Sequence, residues 1–217
     1  MNEILARISE ELQKGKAKAV KELVEEALAE GVPAIDILDK GLLAGMDVIA
    51  ERFKNNDVYV PEVLIAARAM NVGTEMLKPY LVESGVKPIG KALIGTVKGD
   101  LHDIGKNLVR MMFEGKGIEV VDLGVDVSPE RFVEVQKEEN ADIIALSALL
   151  TTTMDEMKNT VDAFIDAGMR NDVIIMVGGA PVTSKVKTKA GADIYVADAA
   201  KAADVAKQAL MEKEVTP

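Results

Sequence analysis

The chain of 217 residues has no cysteine, no tryptophan and a single histidine, His102. Without cysteine there are no disulfides and no thiolate chemistry, and one histidine alone cannot build an ordinary zinc site of His and Cys ligands. Aromatic residues make up 3% of the chain against 48% for all hydrophobic residues, so any core is aliphatic. Positive charge is also short, with Lys+Arg 26 against Asp+Glu 36 and a net charge of −10. That balance is the opposite of the basic footprint of a nucleic-acid binder. No run approaches the roughly 20 consecutive apolar residues of a membrane span. The start, Met1 to Arg7, has no basic segment followed by an apolar one, so no signal peptide is expected and a cytoplasmic location is the expectation.

What is present divides into two halves. Up to about residue 86 the apolar positions recur at three-and-four spacing, the mark of amphipathic helices. Ile4, Ile8 and Leu12 start the series, followed by Val20, Leu23, Val24 and Ala27. Gly15 and the Gly31 to Pro33 stretch separate the first helices. A third helix is expected from about Ala34 to Lys54, with Ile35, Leu38, Leu42, Met46, Ile49 and Phe53 on one stripe. After the polar turn Asn55 to Asp57, Pro61 suits the first turn of a fourth helix. Short connections between four helices predict an antiparallel bundle over residues 1–88.

Val82 to Gly90 reads as a linker, and beyond it the period changes. Strand-like runs at 92–97, 118–123, 142–147, 173–177 and 192–196 alternate with helical stretches at 104–115, 129–139, 154–167, 183–190 and 199–213. This βα repeat predicts a five-stranded parallel, Rossmann-like (flavodoxin-like) sheet over residues 89–217, with helices on both faces. In such sheets, ligands bind at the carboxyl ends of the strands.

The turn leaving the first strand carries Asp100-Leu-His102-Asp103-Ile104-Gly105. A lone histidine at a helix start is, taken alone, most simply a surface residue. The alternative is a metal ligand, with Asp100 on its second ring nitrogen to fix the tautomer. Such a metal needs most of its ligands from elsewhere, as in a macrocycle that leaves one axial position to the protein. After the third strand comes Ser147-Ala-Leu149-Leu-Thr151-Thr-Thr153, and one of Thr151 to Thr153 is expected to cap the next helix. After the fourth strand come Gly178 and Gly179, read either as a tight turn or as a place for close backbone approach to a ligand. Asp198, after the fifth strand, carries little weight.

The Asp-x-His-x-x-Gly pattern at Asp100, His102 and Gly105 resembles that of corrinoid (vitamin B12) binding domains. With the helical half, the whole chain resembles the corrinoid methyl carriers of methyltransferase systems and the cobalamin modules of methionine synthase. The resemblance implies a corrinoid bound base-off and His-on, with His102 as the metal ligand and Asp100 holding its other nitrogen. Asp103, Ile104 and Gly105 would line the same turn. Ser147, Leu149 and Thr151 match a Ser-x-Leu-x-Thr pattern that, with Gly178 and Gly179, lines the channel for the nucleotide tail. Thr153 stands where the methionine synthase module has the serine of a His–Asp–Ser relay. In the helical cap, the resemblance assigns Tyr59, Val60, Ala69 and Met70 to shielding the upper corrin face; a cap that covers the cobalt must move to admit partners, and the linker near Ser84 to Gly90 is the expected hinge.

By the same resemblance, cobalt(I) accepts a methyl group from a substrate-specific methyltransferase, and methyl-cobalt(III) passes it to a second one that uses coenzyme M or tetrahydrofolate. A reductive activation protein is a further expected partner, and nucleic acid and membrane are not. The chain alone has no separate catalytic constellation. Three other readings stand beside this one: a B12-dependent regulator, a subunit of an adenosylcobalamin mutase, and a flavodoxin-like or receiver-like domain without a corrin. The acidic chain has no DNA-binding helix, and the mutase subunit needs no helical cap. The methyl donor, the lower base and the oligomeric state are not legible in the sequence.

Overall fold

The computed structural model describes residues 3–83 and 87–215. It divides into two compact units, Met1–Pro88 with Gly115–Gly117, and Ile89–Glu114 with Ile118–Pro217.

In the first unit, α1 (Glu3–Gln13) buries Ile4, Leu5, Ile8 and Leu12, and α2 (Ala17–Ala29) buries Val20, Leu23, Val24 and Ala27. Gly15 joins them at φ +69, and a Cβ there would lie 2.5 Å from Ile65 Cγ1. Both the left-handed turn and the close packing therefore require glycine.

The third helix differs from the expected uninterrupted α-helix. After α3 (Ala34–Asp36) the chain runs as a π-helix over Ile37–Leu43 and returns to α-helix in α4 (Ala44–Lys54). Two glycines lie in or next to the π segment. A Cβ on Gly41 would come 3.1 Å from Ile8 Cγ2, and one on Gly45 would come 3.0 Å from the Ser9 carbonyl. Both glycines let this helix lie close against α1. The wider π turn shifts the side-chain stripe, a change that apolar spacing does not reveal.

Then follows α5 (Val60–Glu83), with Pro61 in its first turn and the Tyr59 N–H donating to Glu62 Oε2 at 3.1 Å. The linker expected at Val82 to Gly90 lies partly outside the described residues, because 84–86 are not among them.

The second unit is a parallel sheet of β1 (Lys91–Thr96), β2 (Glu119–Asp122), β3 (Ile143–Ser147), β4 (Ile174–Gly178) and β5 (Ile194–Tyr195) in the order β2-β1-β3-β4-β5. The connecting helices are α6 (Ile104–Glu114), α7 (Pro129–Glu139), α8 (Asp155–Asp166) and α9 (Ser184–Ala190), and α10 (Ala199–Val215) closes the chain. Helices α6 and α10 pack on each other, and α7, α8 and α9 form a second layer. Leu93, Ile144, Leu146, Ile175 and Val177 share one core with Phe132 and Phe164, while the alternating Ala92, Ile94, Ile143 and Ala145 are buried as well. Burial on both faces is why these strands read as continuous apolar runs without alternation.

Gly95, inside β1, has a packing role. A Cβ there would sit 2.6 Å from Phe132 Cζ, so the ring occupies the space a side chain would fill. The order of the sheet reverses between β1 and β3, on either side of which β2 and β4 lie. The crevice outside their carboxyl ends is the position where open α/β sheets bind ligands.

Candidate functional site

Register places the first parts of the site. Thr96 at the end of β1 pairs with Ser147 at the end of β3, and Ser147 pairs with Gly178 at the end of β4. A hydroxyl, a second hydroxyl and a glycine thus stand side by side along the carboxyl edge of three neighbouring strands.

Between β1 and α6 the chain makes an exposed turn in which one side chain, Asp100, is fully buried. Its Oδ1 lies 2.7 Å from His102 Nδ1 and accepts the His102 N–H at 3.1 Å. Its Oδ2 accepts from the N–H groups of Leu149 and Leu150 at 2.8 and 3.1 Å. Thr153 Oγ1 is 2.8 Å from the same oxygen and 2.9 Å from the Leu150 carbonyl. Its single proton goes to the ionised carboxylate, the stronger acceptor. Burial opposes ionisation of Asp100. It is outweighed by the Leu149 N–H, the His102 ring, and the N–H groups of Leu150 and His102, which together hold the carboxyl well below the usual carboxylate range.

An ionised Asp100 has no proton to give, so His102 Nδ1 must be the donor. The neutral imidazole then carries its lone pair on Nε2. That atom has no protein partner among the described residues, and the His102 side chain is 50% exposed. The geometry therefore presents one oriented nitrogen lone pair at the carboxyl end of the sheet.

Around it lies an apolar rim that no core explains: Leu101 and Ile104 are 71% and 75% exposed, and Leu149 and Leu150 each 41%. A Cβ on Gly105 would meet nothing within 4 Å, so the first turn of α6 is open to close approach. Among the described residues no group of three or more His, Cys, Asp or Glu side chains is arranged to hold a metal ion. One nitrogen, exposed apolar side chains and bare backbone suit a metal that brings most of its ligands with it in a macrocycle, and they do not suit a metal caged by the protein.

The remaining expected residues fall into place unevenly. Asp103 is exposed, and its Oδ2 accepts from Asn107 Nδ2 at 3.2 Å. Thr151 is exposed on the turn after β3. Neither Thr151, Thr152 nor Thr153 caps α8, whose N-cap position is Met154 without a side-chain bond; Thr153 turns instead to Asp100. Its methyl group lies against Gly99, where a Cβ would be 3.5 Å from Thr153 Cγ2. The threonine thus fits where a serine would also fit. A Cβ on Gly179, at φ +136, would lie 1.9 Å from the Ala148 carbonyl oxygen, so the turn itself requires glycine there. Gly178 has more room, with the Val196 carbonyl 3.5 Å from the corresponding point. Asp198 caps α10 by accepting the Lys201 N–H at 2.7 Å.

In the helical unit Tyr59 is 67% exposed and Val60 partly so, while Ala69 and Met70 are buried. The sequence reading did not single out Leu101, Leu150 or Thr96. Leu101 and Leu150 adjoin the residues that were named, but side-chain type alone does not distinguish rim from core.

Two family models match, each described as a B12 binding domain, one over residues 90–206 and one over residues 4–78. The trimethylamine corrinoid protein 1 of Methanosarcina acetivorans is 43% identical over 195 residues, which cover 89% of this chain and 90% of that one. The dimethylamine corrinoid protein 3 of the same organism is 39% identical over 208 residues, 96% of this chain and 97% of its own. Among solved structures, the methanol:cobalamin methyltransferase complex of Methanosarcina barkeri superposes with a TM-score of 0.88 at 29% identity, covering 97% of this chain and 80% of that chain. With matches along both of its units, the chain belongs to the B12-binding corrinoid proteins.

Proposed function

We propose that this methyl-carrying corrinoid protein holds its cofactor base-off and His-on, through Nε2 of His102. The observation that carries the reading is the buried Asp100 at 2.7 Å from His102 Nδ1, which fixes the tautomer and leaves Nε2 as the free nitrogen of a half-exposed ring. When bound, the corrinoid supplies the cobalt that accepts and donates the methyl group.

The chain's own part is orientation and proton handling. Asp100 keeps a proton on Nδ1 and leaves Nε2 free to ligate. Were Nε2 to take up a proton it could no longer ligate, and Asp100 would stabilise the resulting imidazolium. Thr153 holds the far carboxylate oxygen in place. Ser147, Thr151 and Gly178, at or just beyond the carboxyl edge, would hold the nucleotide tail, and Leu101, Ile104, Leu149 and Leu150 would give the bound group an apolar surround.

Its partners are methyltransferases, and we assign residues 1–88 as the cap and 89–217 as the corrinoid domain. Tyr59, the one exposed side chain of the four that the resemblance assigns there, would be the residue of the cap to shield a bound corrinoid. Greater identity to methylamine corrinoid proteins than to the methanol complex favours an amine-specific donor enzyme. A second methyltransferase, a reductive activation protein and a cytoplasmic location complete the proposal. Among the described residues no helix is long and apolar enough to cross a membrane.

The test is the visible spectrum of the chain reconstituted with cobalamin, beside His102→Ala. The expected result is a stoichiometric corrinoid in which a base-off spectrum replaces the nitrogen-ligated one when His102 is removed. An unchanged spectrum in the variant would assign the axial nitrogen to another source and end the proposal.

A further inference from the structure

The turn that presents His102 is exposed at every residue from Lys98 to Ile104 except Asp100. An exposed turn does not hold a ligand rigidly by itself, so its fastenings matter. One is the Asp100 cluster already described. A second clasps the turn from outside that cluster.

Thr96 is fully buried at the end of β1, and its Oγ1 donates to the His102 carbonyl at 2.8 Å. Asp126, in the turn after β2, accepts the Gly99 N–H on its Oδ1 at 2.7 Å and donates its own N–H to the Asp100 carbonyl at 2.9 Å. Gly99 stands at φ +79 and Asp126 at φ +54, a left-handed position that aspartate and asparagine tolerate better than most residues. The two fastenings are tied together. The Thr96 N–H donates to the Gly124 carbonyl, and the Val127 N–H donates to the Thr96 carbonyl, each at 3.0 Å. The stretch Asp122-Leu-Gly124-Val-Asp126 is thus built as a bracket on the turn that carries the ligand.

We infer that Thr96 and Asp126 are positioning residues for the axial ligand: Thr96 holds the His102 carbonyl and Asp126 holds the backbone of Gly99 and Asp100 just before it, so that the turn keeps Nε2 in place. Neither side chain touches the ligating atom, so both act through His102. The inference rests on His102 being the ligand.

The test uses the full chain titrated with aquocobinamide, which has no lower base, so any nitrogen ligation comes from the protein. The change in the visible spectrum gives the affinity. Thr96→Val and Asp126→Ala are each expected to weaken binding about tenfold, the scale of one lost hydrogen bond. Thr96→Ser and Asp126→Asn, which keep the donor and the acceptor, are expected to restore it to within about twofold.

The decisive comparison repeats both substitutions in a His102→Ala background, where they are expected to have no further effect. Effects that persist there, or the absence of any effect in the wild-type background, would overturn the inference. If His102→Ala itself leaves the spectrum and affinity unchanged, the ligand assignment fails and this inference fails with it. Asp126 is exposed, so its variants keep the test open should Thr96→Val not fold.

Discussion

At the scale of single residues, Asp100 gathers more of the site than His102 does. One buried carboxylate satisfies three backbone N–H groups, an imidazole and a hydroxyl. Because its folded pKa is depressed, the stability it contributes is complete above the unfolded value of about 3.9. That contribution drains away as pH falls through the folded value. Asp100→Asn is therefore expected to lose roughly 2–3 kcal/mol at neutral pH, the scale of hydrogen bonds to a charged group. It should also show a shallower loss of stability below about pH 4. Denaturant melts at a series of pH values read both effects.

The glycines separate at the same scale. Gly105→Ala meets open space in a helix, so folding stability is expected to hold or rise by up to about 1 kcal/mol while corrinoid retention falls. Gly179→Ala drives a Cβ into the Ala148 carbonyl and should cost more than about 3 kcal/mol with or without cofactor. Thermal midpoints and cofactor content of the two variants separate a glycine kept for a ligand from one kept for a turn. Read as letters the two were equivalent, because a glycine carries no mark of what fills the place of its missing side chain.

At the scale of elements, α6 is fixed to β2 by a buried ion pair. Lys106 Nζ lies 2.6 Å from both Asp122 oxygens with its side chain 2% exposed, and Asp122 Oδ1 also accepts the Gly124 N–H at 2.9 Å. Lys106→Met strands that carboxylate, with Arg110 Nη1 3.8 Å away as its nearest cation, and is expected to cost about 3 kcal/mol. Adding Asp122→Asn removes the stranded charge, keeps the acceptor for Gly124 and should recover part of the loss in chemical denaturation.

The elements themselves were legible because the apolar period changes from helical to strand-like near residue 90. The starts of α6 and α7 fall at the residues expected, Ile104 and Pro129. The π segment was hidden, since Ile35, Leu38 and Leu42 offer an α-helical stripe at three-and-four spacing, whereas the structure buries Ile37 and Leu42, five residues apart as a π turn allows. Lys106 was hidden as well: a lysine on a helix reads as a solvated side chain until a carboxylate from another strand is seen to meet it.

At the scale of the molecule, every residue bonded to Asp100 comes from the unit formed by Ile89–Glu114 and Ile118–Pro217. A chain of residues 89–217 is expected to keep corrinoid affinity within about tenfold, since none of these bonds is lost. Under the proposed role of residues 1–88 as a cap, the reduced cofactor in that shorter chain should oxidise in air faster than in the full chain. Equilibrium binding and the rate of spectral decay measure the two halves of the expectation separately.

The carboxylate of Asp100 has a consequence for how the site breathes. It ties a turn after β1 to a turn after β3, about fifty positions apart along the chain. Neither turn can swing out without releasing the same knot, so the two share one opening equilibrium. The amide protons of His102, Leu149 and Leu150 are accordingly expected to leave for deuterium together, at a common protection factor, as though they belonged to a single short segment.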